Sequence, residues 1–176
     1  MTTPVTFPPP SPMYRLTLLG PPSLRDRSGR EITAISGSPE RLLLLAWLAC
    51  EEPVSFHKRD TLLDRFFPDG DRDVRRNALR QALHALRTYI DPAIFVARGS
   101  DELMLNSALL SCDLTEVRAR LRANDTVDRD GIGTFVDGVD TATLPVPVRS
   151  WVHDRRTEVS AIQDGTAEYP VVVAEP

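Results

Sequence analysis

From residue 71 onward, apolar and polar positions recur at the pitch of a helix. At ~100° per residue, Leu79, Leu83, Leu86 and Ile90 fall in one narrow sector with Ala78, Ala82 and Ala85 beside it. Asn77, Arg80, Gln81, His84, Arg87 and Thr88 fall on the opposite side. Asp71 is a suitable N-cap, and Asp91-Pro92 stops the helix near Tyr89, because a residue before proline is pushed out of the helical region. The short alanines let this helix approach a neighbour closely while the long polar side chains project away.

Two helices are predicted before it. Ser38-Pro39-Glu40 offers a cap, a proline in the first turn and an acid near the positive end, so a helix runs from Pro39 to about Cys50. It is apolar nearly all round and belongs at the centre of a domain. After "EEPVSF", a second helix runs from His57 or Lys58 to Phe67, with Leu62, Leu63, Phe66 and Phe67 inward and Lys58, Arg59, Asp60 and Asp64 outward. Pro68-Asp69-Gly70 ends it.

Period-two alternation flanks the helices. "YRLTLLG" (14–20) is closed by Gly-Pro-Pro, and residues 22–36 hold Ser28-Gly29 between two short alternating pieces, which predicts a hairpin in a small antiparallel sheet. Residues 94–106, "IFVARGSDELMLN", read as a β-hairpin with a polar tip from Arg98 to Asp101. Beyond them, residues 113–123 form a short amphipathic helix, a loop-like stretch follows, and residues 147–162 form another helix. The expected organisation is a proline-rich arm (1–12) outside the fold, a first unit (13–106), a short helical extension (107–163) and a tail (164–176).

Composition narrows the class. The chain has 176 residues, 41% hydrophobic and 26% charged, enough for one domain with a substantial core or one plus a smaller second. The longest apolar run, residues 42–50, is far short of the ~20 needed to cross a bilayer. The N-terminus lacks the order of a signal peptide, so a cytoplasmic protein without membrane contact is expected. Cys50 and Cys112 lie far apart, with no histidine pattern suggesting zinc and no other sign of a cofactor. A net charge of -4 argues against a histone-like coat. Residues 72–87 run the other way, with five arginines against Asp73 and a local net charge of +4.

Three helices, the third with a continuous polar face, followed by a hairpin, predict an α+β winged helix-turn-helix with that third helix in the major groove of double-stranded DNA. The residue types suit base edges. Arg80 offers two parallel donors to guanine O6 and N7, Asn77 and Gln81 each donate to and accept from adenine, and His84 donates to an acceptor edge. Lys58, Arg59, Arg75, Arg76, Arg87, Thr88 and Arg98 suit phosphates, which fix register without reading sequence.

The segment "FFPDGDRDVRRNALRQALHALR" also resembles the third-helix region of the SARP-type bacterial transcriptional regulators. In support are "YRLTLLGPPSLRDRSGREI", "LLLLAWLAC" and, more weakly, "DLTEVRARL", "FVDGVD" and "WVHDRRTEV". The resemblance covers about Tyr14 to Val159. It implies an OmpR/PhoB-type winged-helix DNA-binding domain followed by the start of a helical bacterial transcriptional activation domain. In the family that second domain continues as a helical array, so here the effector half is expected to be absent or vestigial. A single winged helix makes a small interface, so a second copy, RNA polymerase or another regulator is the expected protein partner.

The alternative in another class is a protein-binding adaptor on the same scaffold, since fold does not fix function. An adaptor has no need of Asn77, Arg80 and Gln81 side by side and would expose an apolar patch instead. An enzyme has little support. The acids of "DGDRD" and "DRDG" sit in loops without a convergent histidine, nucleophile or phosphate cradle.

Overall fold

Leucines at alternate positions build the first sheet. In a computed structural model, which describes residues 12–169, β1 (Tyr14–Thr17) pairs antiparallel with β2 (Ser23–Asp26), setting Leu16 opposite Leu24. Both leucines are fully buried. The arm expected over residues 1–12 lies outside the described residues except for Pro12, as do residues 170–176 of the tail.

The hairpin expected over residues 22–36 is only half formed. Its turn is built by the Asp26 carboxylate, which accepts the N–H groups of Ser28 and Arg30, and by Gly29 at φ +85°. The returning chain makes a single bridge, Arg25 to Glu31, and then winds into α1 (Thr33–Ser36). Ile35 explains the change: one helical turn drops it into the core, where it is completely buried.

The helix expected from residue 39 is α2 (Pro39–Cys50), and every residue from Leu42 to Cys50 is buried. Ser38 starts it through its carbonyl, which accepts Leu42 N–H, while its side chain makes no capping bond. The next helix begins later than its pattern suggests. His57 and Lys58 form a short strand, β3, and α3 spans Arg59–Phe66. Two interactions hold these residues extended: the His57 ring packs tilted against Trp47 with centroids 4.6 Å apart, and Lys58 pairs across from Glu102 on a later strand. Leu62, Leu63, Phe66 and Phe67 face inward as expected.

Next comes α4 (Arg72–Tyr89), capped by the Asp71 carboxylate, which accepts Asp73 and Val74 N–H. The expected hairpin follows as β4 (Phe95–Arg98) and β5 (Glu102–Leu105), with Gly99 at φ +63° in its turn. With β3 it makes a second sheet in the order β3-β5-β4.

Past residue 106, β6 (Leu110–Cys112) returns to run parallel to β1, completing the first sheet in the order β2-β1-β6. Then α5 (Asp113–Arg122) and α6 (Val146–Asp164) close the fold. Buried Asp113 ties the ends together, its carboxylate accepting the amides of Leu18, Leu19 and Leu114. Arg118 of α5 grips Glu158 of α6 with two bonds, at 2.7 and 2.8 Å, and donates to the Cys50 carbonyl of α2. One hydrophobic core therefore runs from Leu16 to Ile162, on both sides of residue 106. The architecture is mixed α+β, with six helices and two small sheets among the described residues. None of these helices is long and apolar enough to cross a membrane.

Candidate nucleic-acid interface

The phase of α4 decides what it offers. Leu79, Ala82, Leu83 and Leu86 are buried, which leaves Arg76, Asn77, Arg80, Gln81 and His84 exposed along one side of an 18-residue helix. All four expected base-reading side chains therefore face solvent together. Two of them touch: Arg80 Nη2 donates to Asn77 Oδ1 at 2.7 Å.

Beside this row the second sheet makes a wall. A cleft of about 690 Å³ runs between the start of α3, the first half of α4 and the β4–β5 turn. Lys58, Arg59, Arg72, Arg76 and Arg98 line it against Asp60, Asp101 and Glu102, an excess of two positive charges. A second hollow, with Arg59, Arg76 and Arg80 against Asp60 and Asp101 in its walls, continues it along the helix. The strand that displaces the first turn of α3 places this corner: β3 holds Lys58 against β5, and Arg59 N–H donates to the Asp101 carbonyl at 2.7 Å.

Among the described residues, Lys58, Arg59, Arg76, Arg80 and Arg87 enter no ion pair within 4 Å. Arg59 is partly buried with its Nε lacking a hydrogen-bond partner, and burial, helped by the nearby Arg87 charge, holds its guanidinium below the usual range. The nearby Asp101 charge opposes that shift without outweighing it. Arg87 sits with its guanidinium 5.5 Å from the centre of the Phe95 ring, which orients it beside the hairpin.

Three expected phosphate contacts are otherwise engaged. Arg75 turns inward; its Nε donates to the Phe67 carbonyl at 2.7 Å and its Nη2 to Asp64 at 2.5 Å, bracing the α3–α4 connection. Thr88 donates its hydroxyl back to the His84 carbonyl. Arg98 is exposed but pairs with Glu102 and stacks over Phe56; the hydrogen bond raises the Arg98 guanidinium and lowers the Glu102 carboxyl from their ordinary values.

The hydrophobic pattern places Asp60 outward but passes over Arg72, and the two side chains meet at 4.0 Å across the cleft mouth. Only the charge count over residues 72–87 signals Arg72 in the sequence. Compared with models of known protein families and with curated proteins, the chain matches none.

Proposed function

We propose that this protein is a sequence-specific double-stranded DNA-binding regulator of transcription. In this reading it is a winged helix of the OmpR/PhoB type, akin to the SARP regulators, with α4 as the major-groove helix and β4–β5 as the wing. The observation that carries it is the exposed row Arg76, Asn77, Arg80, Gln81 and His84 on a single helix whose opposite side is buried, bordered by a cleft of net positive charge. Arginine and amide side chains at helical spacing match the donors and acceptors of base edges, and the flanking cations match phosphates. Partners beyond DNA are a second copy, RNA polymerase or another regulator.

A second reading, the protein-binding adaptor, draws on a different surface. Phe66, Phe67, Pro68, Leu144 and Pro145 line a groove of about 490 Å³ at the other side of the α4 N-terminus, where Val74 is 57% exposed. Selection of the purified protein against a random duplex library separates the two. An enriched motif, bound with steep salt dependence, supports the regulator; no binding even at low salt removes it and sends attention to the groove.

A further inference from the structure

The contact between Asn77 and Arg80 changes what each can read. They lie three residues apart on α4, the spacing at which side chains on one helix face meet. Arg80 Nη2 donates to Asn77 Oδ1 at 2.7 Å, and both residues are exposed, so no tertiary neighbour dictates the arrangement. Arg80 has no carboxylate within ion-pair distance among the described residues, so Asn77 supplies its side-chain anchor.

Two consequences follow from donor and acceptor bookkeeping. A guanidinium carries five N–H donors, and spending one on Asn77 leaves a pair free to approach guanine O6 and N7 in parallel. The anchor restricts a long side chain that would otherwise lose much rotamer freedom on binding. For Asn77 the cost falls on its acceptor. Reading adenine requires the amide to accept from N6 and donate to N7 together; the oxygen keeps a second lone pair, but the Arg80 proton takes one and sets the amide's orientation, so the adenine geometry competes with the Arg80 contact.

Resting on the DNA-binding reading, we infer that Asn77 acts as a positioning residue that presents the Arg80 guanidinium to one guanine, and that the two side chains read a single base pair as a unit. Asn77 Nδ2 keeps its two hydrogens for an acceptor on a neighbouring base or phosphate. Adenine recognition falls to Gln81, whose amide forms no side-chain hydrogen bond among the described residues.

The experiment compares the full-length parent with Asn77→Ala, Arg80→Ala, the double variant and Asn77→Asp. The parent is first selected on a random duplex library. Each variant is then titrated against the winning duplex and all its single-base-pair substitutions. All four changes are on an exposed face, and circular dichroism confirms folding. The expected result is that Asn77→Ala and Arg80→Ala each weaken discrimination about tenfold or more at the same G·C pair, and that the double variant is no worse than Arg80→Ala alone. Asn77→Asp keeps an acceptor for Arg80, so it retains preference at that pair while its added negative charge weakens all duplexes alike.

If Asn77→Ala instead loses preference at a different pair, or the two losses multiply, the pair does not act as a unit and the inference is overturned. It is likewise overturned if Asn77→Ala leaves discrimination unchanged, although the parent still reads DNA. A parent that selects no motif overturns the DNA-binding reading itself, and the inference with it, and is told apart by failing before any variant is compared.

Discussion

Two adjacent arginines on α4 provide a sharp test, because sequence treats Arg75 and Arg76 alike and the structure does not. Arg76 is exposed and free of ion pairs among the described residues, beside Lys58 and Arg59 in the cleft. Arg75 has a side chain only 22% exposed and is bonded to the Phe67 carbonyl and Asp64. Four expected phosphate contacts, Lys58, Arg59, Arg76 and Arg87, are cations that lack an ion pair among the described residues. On the DNA-binding proposal, each phosphate neutralised steepens the dependence of log K on log salt by ~0.9, so four give an expected slope of about −3.6 per protomer. Raising salt from ~50 to ~200 mM then weakens binding by about 150-fold. Replacing Arg76 by alanine lowers the slope to about −2.7, and the same change of salt then costs only about 40-fold.

Arg75→Ala is expected to leave the slope unchanged and to register in stability instead. Its bond to Asp64 contributes little, because that carboxylate is 75% exposed and solvent screens the pair. The bond to the Phe67 carbonyl is the larger loss, and removing it costs about 1 to 2 kcal/mol. The assay is fluorescence anisotropy on the selected duplex across this salt range, with urea unfolding of each variant in parallel. A fall in slope for Arg75→Ala equal to that for Arg76→Ala would refute the bracing argument. An unchanged slope for Arg76→Ala would remove the cleft from the DNA contact.

Leu83→Asp places an unpaired charge at a position 1% exposed and should cost at least ~4 kcal/mol, abolishing the cooperative thermal transition; a folded variant would show the helix phase to be misjudged. Arg118→Ala removes two bonds to Glu158, which keeps Arg155 and Tyr169, together with the bond to the Cys50 carbonyl, and should cost about 2 to 3 kcal/mol, read as a lower urea midpoint with unchanged slope. Glu158 also predicts a pH dependence. Burial opposes its ionisation, but hydrogen bonds from Arg118 and Tyr169 and the charges of Arg118 and Arg155 outweigh it and hold the carboxyl below its ordinary value. A depressed carboxylate stabilises the fold above its unfolded pKa of about 4.3, and that contribution disappears as pH falls through the folded value. Urea midpoints from pH 7 down to 3 should therefore fall less steeply in Glu158→Gln than in the parent; parallel curves would refute the linkage.

What was legible in the sequence is what periodicity and capping control. The boundaries and phase of α4 follow from its leucine stripe and Asp71, and the hairpin follows from alternation around Gly99. The solvent-facing row of Asn77, Arg80, Gln81 and His84 followed from the same phase. Tertiary pairing was not legible. Lys58 reads as helical until β5 offers it a strand partner, and residues 31–36 read as a strand until Ile35 finds the core. Leu110–Cys112 is too short to announce itself as a strand, since its pairing with β1 spans almost a hundred residues. Local sequence also could not tell Arg75 from Arg76, because the difference is a carbonyl eight residues upstream.

A chain of net charge -4 can still present a surface suited to a polyanion, because its charges are segregated. Residues 72–87 carry a net +4, while the connection over residues 124–145 carries five aspartates against Arg129, a net of −4. None of those five aspartates lines the cleft beside α4. At physiological salt, exposed charges separated by more than about 8 Å are largely screened. On the DNA-binding proposal, a phosphate approaching α4 responds mainly to the charges of the cleft itself, Lys58, Arg59, Arg72, Arg76 and Arg98 against Asp60, Asp101 and Glu102, and the overall acidity acts mainly against non-specific clustering on nucleic acid. Segregation of this kind favours a small number of well-placed contacts over bulk attraction, which is the balance a sequence-reading surface requires.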